Sequence, residues 1–158
     1  MPKLERNKDR EIEMGLLKIE GVIHWSIPVN DLVESERFYG DLLGLTPLGR
    51  LGNSVMSCFN VGDHNILLCQ RQQPVVAAPE GDNRLHHSFT VSPGTFVQAC
   101  HVFCERDIPI DGLVYRSEGF FTGRELYFFD PSWNRLELRD PTWQDGMPTP
   151  TFEAITTR

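Results

Sequence analysis

The sequence predicts an α+β fold built from two copies of one strand–helix–strand–strand–strand unit. The first observation is a short pattern that occurs twice, as IHWSIPV at 23–29 and LHHSFTV at 85–91, and internal repeats of this kind define an architecture. The second is that a helical pattern follows each copy, and the third is that three strand-like segments follow each helix. One module therefore spans about residues 20–71 and the other about 85–142, with a linker at 72–84 that contains Pro, Gly and Asn.

In the first module, the strand at 22–29 leads into a helix predicted at 32–44. Asn30 or Asp31 is suited to cap this helix, because a short polar side chain accepts a hydrogen bond from the free amides of the first turn. Gly44 is expected to end it, since glycine adopts the left-handed conformation that closes many helices. Three short strands are predicted within 45–51, 54–61 and 65–71.

The second module repeats this order. Its strand at 86–91 runs into Ser92 and Pro93, and proline favours the first positions of a helix, here predicted at 95–107. The closing strands are predicted near 111–117, 125–130 and 134–140. Outside the two modules we expect a charged tail at 1–19 and an irregular tail at 143–158.

The bulk composition narrows the range of functions. The chain has 158 residues and a formal net charge of −7, and it has no basic stripe, so we do not expect it to bind nucleic acid or an anionic membrane. No apolar run approaches the ~20 residues that span a bilayer, and the charged N-terminus lacks the apolar segment of a signal peptide. These features favour a cytoplasmic protein of one domain.

Alternation along the repeated strand separates two faces. His24 shares one face with Ser26, and the apolar residues of that strand occupy the other, which we expect to pack on the helix; that apolar set is Trp25, Ile27 and Val29. In the second copy His86 shares its face with Ser88 and Thr90. His87 lies with the apolar set, so the register selects His86 as the counterpart of His24.

The closing hairpin adds an acid to the same kind of face. Leu136 and Leu138 are expected in the core, so Glu137 between them faces the other way. Tyr127, on the preceding strand, is expected to be a near neighbour of Glu137. Two imidazoles and one carboxylate on one side of an ion suit a divalent metal and leave its other positions open. The alternative is that each histidine is an ordinary surface or hydrogen-bonded residue.

Three stretches carry a resemblance to a known family: HWSIPVNDLVESERFYGDLLGL, HHSFTV and ELYFFDPSWNRLELRDP. Over about residues 20–142 the chain resembles the vicinal oxygen chelate superfamily, which includes glyoxalase I, extradiol dioxygenases, fosfomycin-inactivating thiol transferases and bleomycin-binding proteins. The resemblance implies paired βαβββ modules that form an incomplete, eight-stranded, barrel-like mixed sheet with helices outside. It also implies one divalent ion, Fe(II), Mn(II), Zn(II) or Ni(II), bound by His24, His86 and Glu137, and it implies that Tyr127 contacts the substrate.

The chain departs from the family pattern at three places. Glyoxalase I has a fourth ligand, a glutamate, where this chain has Leu67 or Leu68, which argues against lactoylglutathione lyase activity. The thiol transferases carry an arginine beyond the glutamate strand, whereas 145–150 reads DGMPTP. Trp133 replaces the glycine of the usual final turn, which affects the geometry of the turn more than the chemistry.

These observations favour a metal-dependent enzyme for a small, oxygen-chelating substrate, with an extradiol-type dioxygenase as the leading hypothesis. The alternatives are a thiol transferase or isomerase, a metal-free drug-binding protein, and a regulatory module with a relic site. We expect Tyr127 to donate a hydrogen bond to the substrate, unless it is a plain cross-strand aromatic. Ser26, Ser88, Arg116 and Arg124 are candidate substrate-binding residues. A homodimer is expected, and the site lies either within one chain or across two.

Overall fold

A computed structural model describes residues 17, 19–52, 55–81 and 84–157. The first module comprises strand β1 (His24–Val29), helix α1 (Leu32–Glu36) with a π-helical continuation (Arg37–Leu42), and strands β2 (Thr46–Arg50), β3 (Met56–Val61) and β4 (His64–Gln70). The second comprises β5 (His87–Thr90), α2 (Pro93–Glu105), β6 (Ile110–Arg116), β7 (Gly123–Phe129) and β8 (Arg135–Asp140), and a short helix α3 (Phe152–Thr156) follows it. Most of the predicted charged tail lies outside the described residues.

Each module forms one mixed sheet of four strands. The strand orders are β1-β4-β3-β2 and β5-β8-β7-β6. The first and last strands of each module pair in parallel, and the remaining pairs are antiparallel. The predicted α+β fold of paired modules is therefore confirmed, and the two sheets do not close into a barrel. In the described part of the chain no helix is long and apolar enough to cross a bilayer.

The first helix shows how the local sequence positions the modules. Asp31 caps it, because its Oδ1 accepts a hydrogen bond from the Glu34 amide over 2.7 Å. After Glu36 the helix widens into the π form, which places an extra residue in the turn. Tyr39 in this turn is fully buried, and its hydroxyl donates to Asp130 Oδ2 of the second module over 2.8 Å.

The two modules share one core. The apolar faces of both sheets and the inner side of α2 contribute to a single buried cluster, in which the rings of Phe38 and Phe128 have centroids 6.4 Å apart. Hydrogen bonds from Asn30 to Ser132 and from Asn134 to the Pro28 carbonyl join the modules at its edge. Each sheet contributes its apolar face to this common core, so its polar face lies on the other side of the sheet.

Two expectations about packing are wrong. Ile27 and Val29 are fully buried as expected, but Trp25 is 58% exposed, because it lies near the start of an edge strand beside the gap between β1 and β5. The 143–158 tail is not wholly irregular. Thr151 caps α3 through a hydrogen bond from the Ala154 amide, and Phe152 and Ile155 pack against the core.

Asp107 offers a test of the way α2 ends. The Ile108 amide bonds to the Phe103 carbonyl over 3.0 Å, and Asp107 has a φ of 52°, as in a Schellman cap. Glycine adopts this conformation without the steric strain of a Cβ atom. Asp107→Gly is therefore expected to raise the free energy of unfolding by about 0.5–1 kcal/mol, measured by urea denaturation. A loss of stability would contradict this interpretation of the cap.

Candidate metal centre

The second module brings an imidazole and a carboxylate into direct contact. His86 immediately precedes β5, which pairs with β8, the strand that carries Glu137. His86 Nε2 lies 3.0 Å from Glu137 Oε2. Ser88, opposite Glu137 in the register, donates its hydroxyl hydrogen to Glu137 Oε1 over 2.7 Å. The Glu137 side chain is 5% exposed and that of His86 is 30% exposed, so the imidazole is the more accessible member of the pair.

The contact made by the other ring nitrogen of His86, Nδ1, determines which of the two nitrogens carries the hydrogen. Nδ1 is 2.8 Å from the carbonyl oxygen of Arg84, and a carbonyl only accepts, so Nδ1 carries a hydrogen. In the neutral ring, Nε2 then has a lone pair that faces the carboxylate at 3.0 Å. A nitrogen and an oxygen that point lone pairs at each other repel at this distance, unless they share a proton or a cation. A hydrogen bond from the distal nitrogen to a backbone carbonyl also orients histidines that bind metals.

The spacing of the two atoms suits a shared divalent ion. Bonds from zinc to an imidazole nitrogen or a carboxylate oxygen are about 2.0–2.2 Å long. With bonds of this length, two ligands of one ion lie about 3.0 Å apart at the right angle of an octahedral site and about 3.4 Å apart at a tetrahedral angle. The observed distance between Nε2 and Oε2 is 3.0 Å. Imidazole and carboxylate are also donor types that Fe(II), Zn(II) and Mn(II) accept. His86 and Glu137 therefore fit two of the ligand positions that the sequence predicts.

Tyr127 lies directly beside Glu137, as the hairpin register predicts. Its ring meets the His86 ring edge-on, with centroids 5.4 Å apart. The Tyr127 hydroxyl donates to Glu125 Oε2 over 2.9 Å. Burial, followed by hydrogen bonds to the carboxylates of Glu137 and Glu125, raises the pKa of Tyr127 well above its usual value. Tyr127 therefore remains a phenol, and its one hydroxyl hydrogen is shared with the acids of the site.

Glu125 is a site residue that the sequence prediction missed. It is 2% exposed and accepts the hydroxyl hydrogen of Tyr127. It also accepts hydrogen bonds from one edge of the Arg116 guanidinium, Nε and Nη2, at 3.0–3.3 Å. The signal was present in ELYFF, since Glu125 and Tyr127 are two residues apart and share a face. Glu125 therefore positions Tyr127 and neutralises Arg116.

The predicted third ligand, His24, does not join this pair within one chain. His24 and Ser26 lie on the polar face of the first sheet, and both are exposed. Within 17, 19–52, 55–81 and 84–157, no group of three or more His, Cys, Asp or Glu side chains is arranged to hold a metal ion. His24 lies on the first sheet and the His86–Glu137 pair on the second, and the two sheets meet through their apolar faces. A role for His24 thus remains a prediction that needs a second chain.

The two predicted arginines occupy different faces. Arg116 lines the cavity beside Tyr127 and Glu137. Arg124 lies on the opposite face of β7, where its Nε donates to Asp140 Oδ2 over 2.8 Å and its guanidinium stacks 4.4 Å from the Phe96 ring centroid. The structure therefore brings Arg116, but not Arg124, together with the other candidate residues of the second module.

A cavity of about 490 Å³ opens in front of the pair. It is lined on one side by the polar face of the second sheet, including Thr90 and Arg139, and on the other by the loop that joins β6 to β7. This loop carries Phe120 and Phe121, which are 97% and 68% exposed. The cavity is large enough for a small organic molecule, and we refer to residues 117–122 as the aromatic loop.

Comparisons with known proteins agree with this architecture. No family model matches the chain. It is 26% identical over 121 residues to glutathione transferase FosA of Serratia marcescens, an alignment covering 76% of this chain and 80% of that protein. A glyoxalase/dioxygenase from Nostoc punctiforme superimposes with a TM-score of 0.64 at 28% identity, over 77% of this chain and 90% of the other.

Fosfomycin resistance proteins share the fold as well. A mutant of FosX from Listeria monocytogenes, solved with Mn(II) and 1S,2S-dihydroxypropylphosphonic acid, superimposes with a TM-score of 0.62 at 16% identity, over 78% of this chain and 93% of that one. The architecture and these neighbours define a protein of the paired βαβββ class. In fold and sequence the chain resembles proteins of the vicinal oxygen chelate superfamily.

Proposed function

We propose that the protein is a divalent-metal enzyme that acts on a small substrate with two adjacent oxygen atoms, and that extradiol cleavage of a catechol is its leading reaction. The observation that carries the proposal is the contact between His86 and Glu137, at 3.0 Å, with the imidazole oriented by a backbone carbonyl. A divalent ion, once bound there, supplies Lewis-acid stabilisation of charge on the substrate oxygens. Mn(II) is a suitable test ion, since it is present in the FosX structure.

The first sheet supports a three-ligand site over a four-ligand one. Leu67 pairs with Ser26 in the parallel register, so it shares the polar face with His24, whereas Leu68 is fully buried in the core. The family's fourth ligand position therefore corresponds to Leu67, which has no donor atom. Two imidazoles and one carboxylate leave room for two substrate oxygens and one further ligand, as in non-haem Fe(II) oxygenases.

The residues of this chain have distinct roles in the proposed reaction. Ser88 holds one oxygen of Glu137, and the other oxygen faces Nε2 of His86, where the two atoms would bind the ion together. The Arg84 carbonyl keeps the Nε2 lone pair of His86 directed at the site. Tyr127, which stays protonated, orients a substrate oxygen or donates to it when its hydrogen bond to Glu125 is released.

A thiol transferase is the second candidate. The identity to glutathione transferase FosA favours it, and the 145–150 segment without an arginine argues against it. Oxygen uptake by the Fe(II)-loaded protein with a panel of catechols supports the dioxygenase. Consumption of glutathione in the presence of fosfomycin and Mn(II), without oxygen uptake, supports the transferase and rejects the leading reaction.

We further propose that His24 completes the site from a second copy of the chain. His24 is exposed on a polar face that points away from the shared core, and the His86–Glu137 pair borders an open cavity. A homodimer in which the two polar faces meet would place one His24 against the partner's pair, and it would form two equivalent sites by symmetry.

Mixing two inactive variants tests this arrangement. His24→Ala and Glu137→Ala should each bind no Mn(II) tightly, because each lacks one ligand. A heterodimer of the two, formed by co-expression with different tags, contains one site with both defects and one intact site. We expect it to bind one Mn(II) per dimer, measured by titration with electron paramagnetic resonance detection, against two for the wild-type dimer.

Other outcomes separate the parts of the proposal. A heterodimer without tight Mn(II) binding would indicate that all ligands come from one chain. Full binding by His24→Ala alone would remove His24 from the site. Co-expression of two differently tagged wild-type chains is the matched control, and it should retain two ions per dimer.

A further inference from the structure

Arg139 has an unmet hydrogen-bonding requirement inside the candidate site. It lies in β8 on the same face as Glu137, two residues further along, and it lines the cavity. Its Nε is buried and has no hydrogen-bond partner in the described part of the chain. A buried polar group without a partner destabilises a fold by about 1–3 kcal/mol. Such a group requires a partner from outside the chain, and at a cavity wall a ligand can supply that partner.

The charge around Arg139 also lacks compensation. Arg116, the neighbouring cation, forms an ion pair with Glu125 through one edge of its guanidinium, Nε and Nη2. Glu137 is engaged by His86 and Ser88. Arg139 instead donates only to a neutral group, the Thr122 carbonyl, and within the described residues it makes no ion pair. Glu125 lies directly opposite Arg139 in the register of β7 and β8, but its carboxylate is engaged by Arg116 and by the Tyr127 hydroxyl. Among the described residues, Arg139 is therefore a cation of this cavity without a direct contact to a carboxylate.

Arg139 lies at some distance along β8 from the residues that are proposed to bind the metal. Strand residues two positions apart on one face are about 6.6–7 Å from each other, so Arg139 lies about that far along β8 from Glu137. Thr90 is directly opposite Arg139 in the register, and its exposed side chain offers a hydroxyl at the same level. Arginine with a neighbouring hydroxyl is suited to a carboxylate or phosphonate, which accepts several hydrogen bonds at once.

We propose that the substrate carries an anionic group at the end opposite its chelating oxygens, and that Arg139 binds this group. The inference rests on the proposed function for the position of the chelating end, and on the unpaired guanidinium for the anion. The aromatic loop contributes to the same subsite, because the Arg139 guanidinium stacks 5.3 Å from the Phe121 ring centroid and bonds to the Thr122 carbonyl. An entering anion would displace this loop contact and satisfy Nε.

Matched probes that differ only in charge test the proposal. We use 3,4-dihydroxybenzoate and its neutral amide, 3,4-dihydroxybenzamide, and measure their affinities by calorimetry without oxygen, on the full chain with and without Mn(II). Wild-type protein should bind the carboxylate about 10-fold or more tightly than the amide, the size of effect expected for a hydrogen bond to a charged group. Arg139→Met should remove this preference, and Arg106→Met, at an exposed arginine after α2, should retain it.

The outcomes distinguish the anion site from the metal site. Equal affinity of wild-type protein for the two probes, or a preference that survives Arg139→Met, would overturn the role of Arg139. A preference for the carboxylate with no effect of Mn(II) on either probe would support Arg139 and reject the proposed metal function. If Arg139→Met does not fold, Arg139→Gln keeps a polar side chain there without the charge, and it is expected to lose the preference as well.

Discussion

Glu137→Gln is expected to lower the affinity for Mn(II) by about 100-fold or more, because even residues that only support metal ligands contribute 10- to 100-fold. The substitution keeps the size of the side chain but removes the negative charge that attracts the ion. It also replaces one carboxylate oxygen with an amide nitrogen that has no lone pair to donate. The affinity is measured by titration of Mn(II) into the purified protein.

Two further variants calibrate this result. Ser88→Ala removes the hydrogen bond to Glu137 Oε1, which spans 2.7 Å, and should lower the affinity by about 10-fold through loss of orientation. Glu153→Gln, at an exposed position of α3, should leave it unchanged. Equal Mn(II) affinities in the Glu137→Gln and wild-type proteins would exclude Glu137 as a ligand.

Among Gly→Ala substitutions at the glycines that the structure describes, Gly123→Ala is expected to cause the largest loss of stability. A Cβ atom at Gly123 would lie 2.4 Å from the Asp140 carbonyl oxygen and 3.0 Å from Pro141 Cα, both of which are backbone atoms. The φ of Gly123 is also 133°, a conformation that residues with a side chain rarely adopt. Overpacking and strain each contribute about 1–3 kcal/mol, so we expect a loss of about 3 kcal/mol.

Thermal denaturation measures this loss as a fall in Tm of roughly 6–12 °C for a chain of this size. Gly94→Ala is the matched control, because no atom outside its own helix lies within 4 Å of its added Cβ and alanine favours helices. It should be neutral or slightly stabilising. The Gly123 variant should also perturb the cavity, since β7 begins there and carries Glu125 and Tyr127. A Tm equal to that of wild type would contradict the close approach of β7 to Asp140.

Much of the second module could be predicted from period-two alternation. The pattern separates Glu137 from its leucine neighbours and His86 from His87, and the observed register places Tyr127 and Ser88 on either side of Glu137. These predictions depend only on strand geometry, which is local. The same rule would have found Glu125, had its face been compared with that of Tyr127.

The remaining features depend on how the modules pack. Alternation assigns Trp25 to the apolar face, but whether that face is covered at an edge strand depends on the neighbouring module. Likewise, the polar face of His24 is predictable, whereas its separation from Glu137 depends on how the two sheets pack on the shared core. The free Nε of Arg139 could not be predicted, because it depends on which of two neighbouring arginines Glu125 engages.

The hydrogen bond between Tyr39 and Asp130 has a consequence for how the protein folds. Asp130 also accepts hydrogen bonds from the Ser132 and Asn134 amides, so the turn that leads to the Glu137 strand is ordered together with a helix formed 91 residues earlier. The buried hydroxyl of Tyr39, in the first half, therefore depends on the second half for its partner. The chain should therefore unfold as one cooperative unit, and its two halves, although repeated in sequence, are not independent folding domains.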